Sequence, residues 1–532
     1  MTERHPAEQA FSLKSIFCKS FDKYGDRVAL EYLGDSYTYA DLNASSNQLA
    51  NAFVDELGLE SEDRVALLMS NRPEFTVTEL AILKAGGAKV LLNDMLAREE
   101  IKYILTNSRA ETIVCGPGFV ELIDELYDSI PTLQNVIYIR EDAVVDRFVE
   151  YESFRSQGGS ANPPDVTPSP DDVAFHAYTG GTTGKPKGVL HTHRSRAMLY
   201  YSVLVELDLS GSDTLLATTP LPHSVGSFTR SAFLAGAKVV LYPDFEVERT
   251  FRDIQDAQIT WTFMVPTMIY RLLDSPAINE YDLSSLETLI YGAAPMKADR
   301  LREGIDQFGP VFKQFYGQTE VPNLITTLGK DEHVLALETG NEEWLSSAGQ
   351  PCLMADVKIV DPKTRAEQPV GEPGEILASA PYMMKKYFER PDATAETLLD
   401  GWVATGDIGK RDEYGYITLL DRSSNMVITG GMNVYTTEVE EALVKHDAVS
   451  DVAVIGVPDD DWGEAVTAIV VPYDGQAVSG DDIISSAATR LSSYKVPKRV
   501  EFVDDLPKTP YGKVDKKALR DRYWEGEDRQ IS

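Results

Sequence analysis

The run Tyr178-Thr179-Gly180-Gly181-Thr182-Thr183-Gly184-Lys185-Pro186-Lys187-Gly188-Val189 concentrates the groups that grip a polyphosphate. Gly180, Gly181 and Gly184 let backbone N–H groups come close to an anion, Thr179, Thr182 and Thr183 add hydroxyl donors, and Lys185 and Lys187 add charge. Asp171-Asp172-Val173-Ala174-Phe175 just before it reads as a short strand, so the run is expected to be a loop leaving a sheet. It is not a Walker A loop, because Pro186 stands where that motif needs Ser or Thr. The plain alternative is a solvated glycine-rich turn, which the density of Gly, Thr and Lys argues against. Further along, Tyr316-Gly317-Gln318-Thr319-Glu320 pairs a turn-forming glycine with a carboxylate suited to Mg²⁺. Taken alone, that run reads equally well as a strand-end turn with a solvated Glu.

The elements that must position these groups alternate between helix and strand. Glu74 to Lys84 has apolar residues at helical spacing, Ala85-Gly86-Gly87 stops it, and Ala88 to Leu92 follows as a strand. Ile259 to Val265 is the next clear strand, Pro266 opens a helix, and Leu286 to Tyr291 and Val311 to Tyr316 are strands again. This spacing predicts an α/β fold of parallel-type sheets with helices on both faces, whose ligand sites lie beyond the carboxyl ends of strands. The turns at Gly292 and Gly317 fall at such ends. A Gly/Pro/Ser-rich stretch from Gln157 to Pro170 separates the first region from the glycine-rich loop. A second boundary falls near Asp421-Arg422-Ser423-Ser424. Beyond it come helix Thr437 to Lys445, strands Val452 to Val457 and Ala465 to Val471, helix Asp481 to Ser492 and strand Arg499 to Val503. The expected organisation is a large N-terminal domain, 1–421, and a small α+β C-terminal domain, 422–532.

Bulk properties set limits. A chain of 532 residues with 43% hydrophobic content supports more than one core. No apolar run reaches the roughly 18 residues of a membrane helix, and no secretory signal opens the chain. Cys18, Cys115 and Cys352 lie too far apart in sequence for a metal motif, and a disulfide framework is not expected, which suits a cytoplasmic protein. Fifty Lys+Arg against 84 Asp+Glu give a net charge of −34, which argues against nucleic acid and anionic membranes as partners. The acidic excess is dispersed, as a salt-rich cytoplasm would select, since salt screens the self-repulsion. Nothing in the sequence specifies an oligomeric state.

Taken together, these motifs resemble, in order, those of the acyl-adenylate-forming superfamily, in particular its AMP-dependent acyl-CoA synthetases. The resemblance runs from about residue 30 to 520. It implies that the glycine-rich loop holds the phosphates of ATP, with Gly180 replacing the family's usual Ser. By the same resemblance, Gly292-Ala293-Ala294-Pro295 forms the adenine-binding turn, Tyr316 packs on adenine, Gly317 and Gln318 belong to the ATP site, Thr319 meets the α-phosphate and Glu320 holds the metal. Asp407 in Thr405-Gly406-Asp407 matches the ribose-binding Asp, where the alternative is an Asp turn between strands, and Arg422 matches the hinge-adjacent Arg that also meets the ribose. His223 in Pro220-Leu221-Pro222-His223-Ser224-Val225-Gly226 borders the acyl pocket with Val265 and Tyr291 by the same resemblance; the alternative for His223 is a satisfied core histidine. It is not assigned as a base, because a carboxylic acid is already ionised near pH 7. Tyr291 is expected to narrow the pocket toward medium-chain or aryl acids. Ser424 occupies the hinge position, where the family has Asp or Lys, and Asn425 replaces an acidic residue; Gly430-Gly431-Met432 resembles the loop that meets coenzyme A. Lys513, in Leu506 to Val514, matches the catalytic lysine. Such an ammonium bridges two anions that must meet, the attacking carboxylate and the α-phosphate. Lys516 and Lys517 are read as solvated surface charges.

The implied activity is an ATP-dependent carboxylic acid–CoA ligase for a fatty or aromatic acid. It would use ATP, Mg²⁺ and coenzyme A and pass through an acyl-adenylate. One rival is an adenylation enzyme that loads a carrier protein, although no carrier domain follows Ser532. A luciferase-type oxygenase has no separate mark in the sequence. A non-catalytic nucleotide-binding regulator would have no need of both Glu320 and the distant Lys513.

Overall fold

A computed structural model describes residues 11–141, 145–179, 185–294, 296–459, 461–473, 475–476, 478–508 and 514–524. The chain divides into two compact units. The first takes in the chain to Thr179, Pro186–Val357 and Ala378–Val403, and the second includes Lys358–Leu377 and the chain from Ala404 on.

Two large sheets build the first unit. One runs, from edge to edge, Gln350–Pro351, Thr326–Leu328, Phe312–Tyr316, Thr288–Gly292, Trp261–Met264, Thr214–Ala217, Lys238–Leu241, Val28–Tyr32 and Asp35–Thr38. Its interior pairs are parallel, while Asp35–Thr38, Thr326–Leu328 and Gln350–Pro351 join antiparallel at the edges. The other runs Lys386–Tyr387, Gly188–Thr192, Val173–Tyr178, Ala88–Leu92, Arg64–Leu68, Thr112–Cys115, Asn135–Tyr138 and Val149–Glu150. It is parallel from Val173–Tyr178 onward and antiparallel in its first two pairings. The expected strand–helix alternation is therefore present, with antiparallel edges that alternation alone does not announce. Ala88–Leu92 is buried at every position, as a strand covered on both faces must be. The helix before it, Pro73–Ala85, starts on Pro at its first turn and ends at Gly86 in the left-handed region, φ 88°. Apart from Glu74 it is buried all round, so it is a central helix rather than a surface one.

In the second unit, strand Trp402–Arg411, which enters it at Ala404, pairs antiparallel with Ile417–Arg422. A further sheet runs Met432–Val434, Val427–Thr429, Gly463–Pro472 and Val449–Asp459, with Arg499–Phe502 parallel against Gly463–Pro472. Helices Thr436–Val444 and Gly480–Ala488 close its core through Val439, Leu443, Ile483 and Ala487. The small α+β pattern expected after residue 422 is found, with strands and helices shifted by a few residues at their ends. Among the described residues, no helix is long and apolar enough to cross a membrane.

Candidate active site

Strands Val173–Tyr178 and Gly188–Thr192 hold the two ends of the glycine-rich loop together. Thr179 N–H donates to Lys187 O (3.1 Å), and Lys187 N–H donates to Thr179 Oγ1 (3.1 Å). Gly188 has no room for a side chain, since a Cβ there would stand 2.2 Å from His176 Nε2. Gly180, Gly181, Thr182, Thr183 and Gly184 lie outside the described residues, as do Pro295 and Lys513.

The turns expected to carry adenine and metal sit side by side. Strands Thr288–Gly292 and Phe312–Tyr316 are adjacent and parallel, with Gly292 opposite Phe315. Both end at the same edge of the sheet, where an α/β fold places ligands. A Cβ on Gly292 would come 2.4 Å from Phe315 O, and one on Gly317 would come 2.5 Å from Asn323 N, so both positions require glycine. Ala293 adopts φ 65°, a left-handed conformation that costs an alanine about 1 kcal/mol or more. Asn323 does the same at φ 62°. Two buried side-chain donors there, Gln318 Nε2 and Asn323 Nδ2, make no hydrogen bond among the described residues. Buried donors of that kind call for an acceptor from a ligand or water.

Thr319 and Glu320 are clamped from three sides. His191 Nε2 lies 2.9 Å from Thr319 O; a carbonyl only accepts, so the proton is on Nε2. Burial, reinforced by Arg196, holds the His191 pKa well below 6.5, and the ring is neutral. Met384 N–H donates to Glu320 O (2.7 Å), and Tyr387 donates its hydroxyl to Glu320 Oε1 (2.5 Å). Glu320 is 8% exposed. Burial, then the Glu320 charge, pushes the Tyr387 hydroxyl pKa up, so it stays a donor. Lys187 Nζ stands 4.3 Å from the centre of the Tyr387 ring. Among the described residues no group of three or more His, Cys, Asp and Glu gathers to cage a metal. A single hard carboxylate fits Mg²⁺, which takes one or two carboxylates together with phosphate oxygens.

His223 precedes helix Ser224–Ala235 as its N-cap. Asn93 Oδ1 accepts from Met95 N–H (3.0 Å), which turns the Asn93 amide nitrogen to His223 Nε2 (2.8 Å). Nε2 is therefore the acceptor and the ring proton lies on Nδ1. Asn71 braces the preceding turn: its amide donates to Thr219 O (2.9 Å) and accepts from Leu221 N–H (2.9 Å). Val265 is the half-buried N-cap of helix Pro266–Leu273. Tyr291 is 1% exposed in the helix-covered core, and its hydroxyl lies 3.0 Å from His333 Nε2. His333 Nδ1 donates to Gly329 O (2.6 Å).

Within the second unit, Asp407 lies on strand Trp402–Arg411, not in a turn between strands, and faces Arg422 across the ladder. The pair is joined Nε to Oδ1 at 3.1 Å, with Arg422 half-exposed and Asp407 buried. Thr405 Oγ1 donates to Ile376 O (2.7 Å) and accepts from Asp407 N–H (3.1 Å), while Gly406 takes φ 70°. Ser424 stands in a turn held by Asn425 N–H and Met426 N–H to Arg422 O (2.9 and 3.1 Å). Asn425, at the position where the family has an acidic residue, accepts through Oδ1 from Arg520 (2.9 Å). Gly430 and Gly431 both have positive φ, 56° and 79°. Lys516 is not the solvated charge expected: its ammonium, itself largely shielded, meets Glu440 Oε1 and Thr436 Oγ1, each at 2.7 Å, and balances the charge of the half-buried Glu440. Lys517 is exposed, 3.8 Å from Asp521. Lys508 and Val514, which flank the Lys513 segment, pair antiparallel, and Asp515 N–H donates to Pro507 O (2.7 Å).

Tyr387, Asn93 and Asn71 act from elements far from the motifs and His191 from the strand that leaves the glycine-rich loop; none was singled out by sequence reasoning, and a polar residue at the end of an apolar strand run was the one mark Asn93 carried.

Parallel sheets with backbone-tight turns, buried donors in want of an acceptor and a clamped carboxylate make an α/β ligand site at the carboxyl ends of strands. Residues 17–388 match the family model described as AMP-binding enzyme, and residues 438–513 match the AMP-binding enzyme C-terminal domain. The chain belongs to the AMP-binding enzyme family, in its acyl-CoA synthetase branch. It is 37% identical to the medium/long-chain-fatty-acid–CoA ligase FadD8 of Mycobacterium tuberculosis, over 94% of this chain and 88% of that one. It is 36% identical to a feruloyl-CoA synthase of an Amycolatopsis species, over 93% of this chain and 96% of that one. Among solved structures, the amide bond synthetase McbA from Marinactinospora thermotolerans superposes with a TM-score of 0.86 at 29% identity, covering 96% of this chain and all of that one.

Proposed function

We propose that this protein is an AMP-forming carboxylic acid–CoA ligase acting on a fatty or aromatic acid through an acyl-adenylate. The observation that carries the reading is the pair of glycine turns on adjacent parallel strands, with Glu320 clamped just beyond the second. In the first step a carboxylate oxygen attacks the α-phosphorus, the bond from that phosphorus to the β,γ-diphosphate breaks, and pyrophosphate leaves. In the second the coenzyme A thiol, giving up its proton, attacks the acyl carbon, and the bond to AMP breaks. Gly292, Ala293, Ala294 and Pro295 offer backbone to the adenine, and Tyr316 a ring face. Asp407 and Arg422 take the ribose hydroxyls. Thr179, Thr182, Thr183, Lys185 and Lys187 hold the phosphates in the glycine-rich loop, and Thr319 meets the α-phosphate. A Mg²⁺ held by Glu320 would neutralise phosphate charge. His223 borders the acyl group, its Nε2 held by Asn93.

The residues from 422 on form the mobile domain in this reading. Ser424 is its pivot, Lys513 its catalytic ammonium, and Gly430 and Gly431 the loop that meets coenzyme A in the second step. An amine or a carrier thiol in place of coenzyme A is the alternative acceptor, favoured by the likeness to an amide bond synthetase. A panel of carboxylates with ATP, and coenzyme A, a carrier or an amine as acceptor, read by pyrophosphate release and mass spectrometry, tests both. Acid-dependent pyrophosphate with a coenzyme A thioester supports the proposal. Pyrophosphate with amide product alone moves the acceptor, and none with any acid rejects the activity.

The net charge of −34 supports a salt-rich cytoplasm as the working environment. Activity and thermal midpoint are expected to rise between low and molar KCl, as screening relieves the repulsion. A flat or falling salt profile removes the halophilic reading and leaves the enzymatic one untouched.

A further inference from the structure

Tyr387 stands 67 residues after Glu320 in sequence, and the fold brings its hydroxyl to the carboxylate. It is 2% exposed and fixed along its backbone. Tyr387 pairs with Val189 on the strand that leaves the glycine-rich loop; Phe388 N–H donates to Gly188 O, and Lys385 N–H to Leu190 O, each at 2.7 Å. Its own N–H donates to Thr394 Oγ1 (3.1 Å). A side chain so placed touches both halves of the expected phosphate site: the ring lies under Lys187, and the hydroxyl occupies Glu320 Oε1. Among the described residues Glu320 Oε2 makes no hydrogen bond.

We propose that Tyr387 is a positioning residue that reserves one oxygen of Glu320, so that the carboxylate meets a divalent cation through the other oxygen alone. This rests on the reading of Glu320 as the metal carboxylate. A one-oxygen contact suits Mg²⁺, which demands near-octahedral geometry at short range. Ca²⁺ is larger and accepts both oxygens of one carboxylate. The Tyr387 hydroxyl therefore sets the preference for Mg²⁺ over Ca²⁺ as well as orienting the ligand, as outer partners of metal ligands do.

The test is Tyr387→Phe in the full-length protein, which keeps the ring and its contact with Lys187 and removes only the hydroxyl. ATP binding is measured by calorimetry with Mg²⁺, with Ca²⁺ and with chelator. Loss of such a partner typically weakens a metal site about 10–100-fold. MgATP affinity is expected to fall about tenfold or more, CaATP affinity much less, and metal-free ATP affinity not at all. If all three shift together the tyrosine is merely structural, and if none shifts it positions nothing; either result overturns the proposal. Glu320→Gln in the parent separates the two levels. Loss of metal-dependent ATP binding in Glu320→Gln with no change in Tyr387→Phe overturns this inference alone. Metal dependence that survives Glu320→Gln overturns the metal reading of Glu320 as well.

Discussion

Lys513→Ala is expected to lose on the order of 2–4 kcal/mol of transition-state stabilisation in adenylation, a loss of the size seen when an oxyanion donor is removed. The carboxylate and the α-phosphate are both anions, and bringing them within bonding distance without a cation raises the barrier directly. A mobile ammonium also aligns the attack, so lysine contributes in two ways. The second step has no such encounter: the thiol attacks an acyl-adenylate whose leaving group already carries the charge. The variant is therefore expected to convert supplied acyl-adenylate and coenzyme A at close to the parent rate. Separate assays of the two half-reactions decide it. Equal loss in both would mean that Lys513 serves structure or both conformations, and the assignment would fall.

The second large effect is acid sensitivity of the first unit. Four of its histidines are buried: His176, His191, His193 and His333. Burial lowers the pKa of His176 to about 3, with help from Arg64, and those of His193 and His333 to about 4; His191 lies well below 6.5. The folded state thus refuses protons that the unfolded chain accepts below its ordinary 6.5. The stabilising contribution of each neutral ring is complete above that value and is lost as pH falls from about 6.5 toward the folded-state values. Each contributes a slope of about 1.4 kcal/mol per pH unit within that window. Four acting together reach on the order of 5 kcal/mol per unit, a large share of the stability of an ordinary domain. The acidic surface loses part of its self-repulsion over the same range, which opposes the trend. A variant difference isolates the imidazoles. His176 stacks on Tyr178 and touches Phe388, each at 4.9 Å between ring centres, and among the described residues neither of its nitrogens has a hydrogen-bond partner. His176→Phe should therefore fold and should flatten the pH dependence by one proton. Denaturant midpoints at pH 7, 6 and 5 for both proteins provide the measurement. Identical pH slopes in parent and variant would show that His176 is protonated in the folded state.

Much of the layout was legible because local and global signals agree. The alternation around Ala88–Leu92 and Pro266–Leu273 placed strands and helices close to where they are found, and the glycines at 292 and 317 marked strand ends that leave no room for a side chain. What escaped depends on residues far apart in sequence. Sheet edges turn antiparallel because of which strand happens to dock there, and no periodicity encodes that. Asp407, read as the ribose-binding Asp with an Asp turn as the alternative, sits on a strand that runs through Gly406 as well, with Gly406 absorbing a positive φ. Lys516 read as solvated because its partner, Glu440, lies 76 residues earlier, on helix Thr436–Val444. Tyr387 carried no motif at all, and only its pairing with Val189 delivers it to Glu320. Tyr291 meets His333, a partner that sequence spacing could not supply.

The most direct test of the account follows an oxygen atom. A carboxylic acid labelled with ¹⁸O in both carboxyl positions is incubated with ATP, Mg²⁺, coenzyme A and the protein, and the AMP is weighed by mass spectrometry. If the carboxylate attacks the α-phosphorus, one labelled oxygen becomes the bridge of the acyl-adenylate and leaves with AMP when the thiol breaks the acyl–oxygen bond. The expected products are AMP carrying one ¹⁸O and a thioester carrying the other. Unlabelled AMP, or ADP and phosphate in its place, would contradict it.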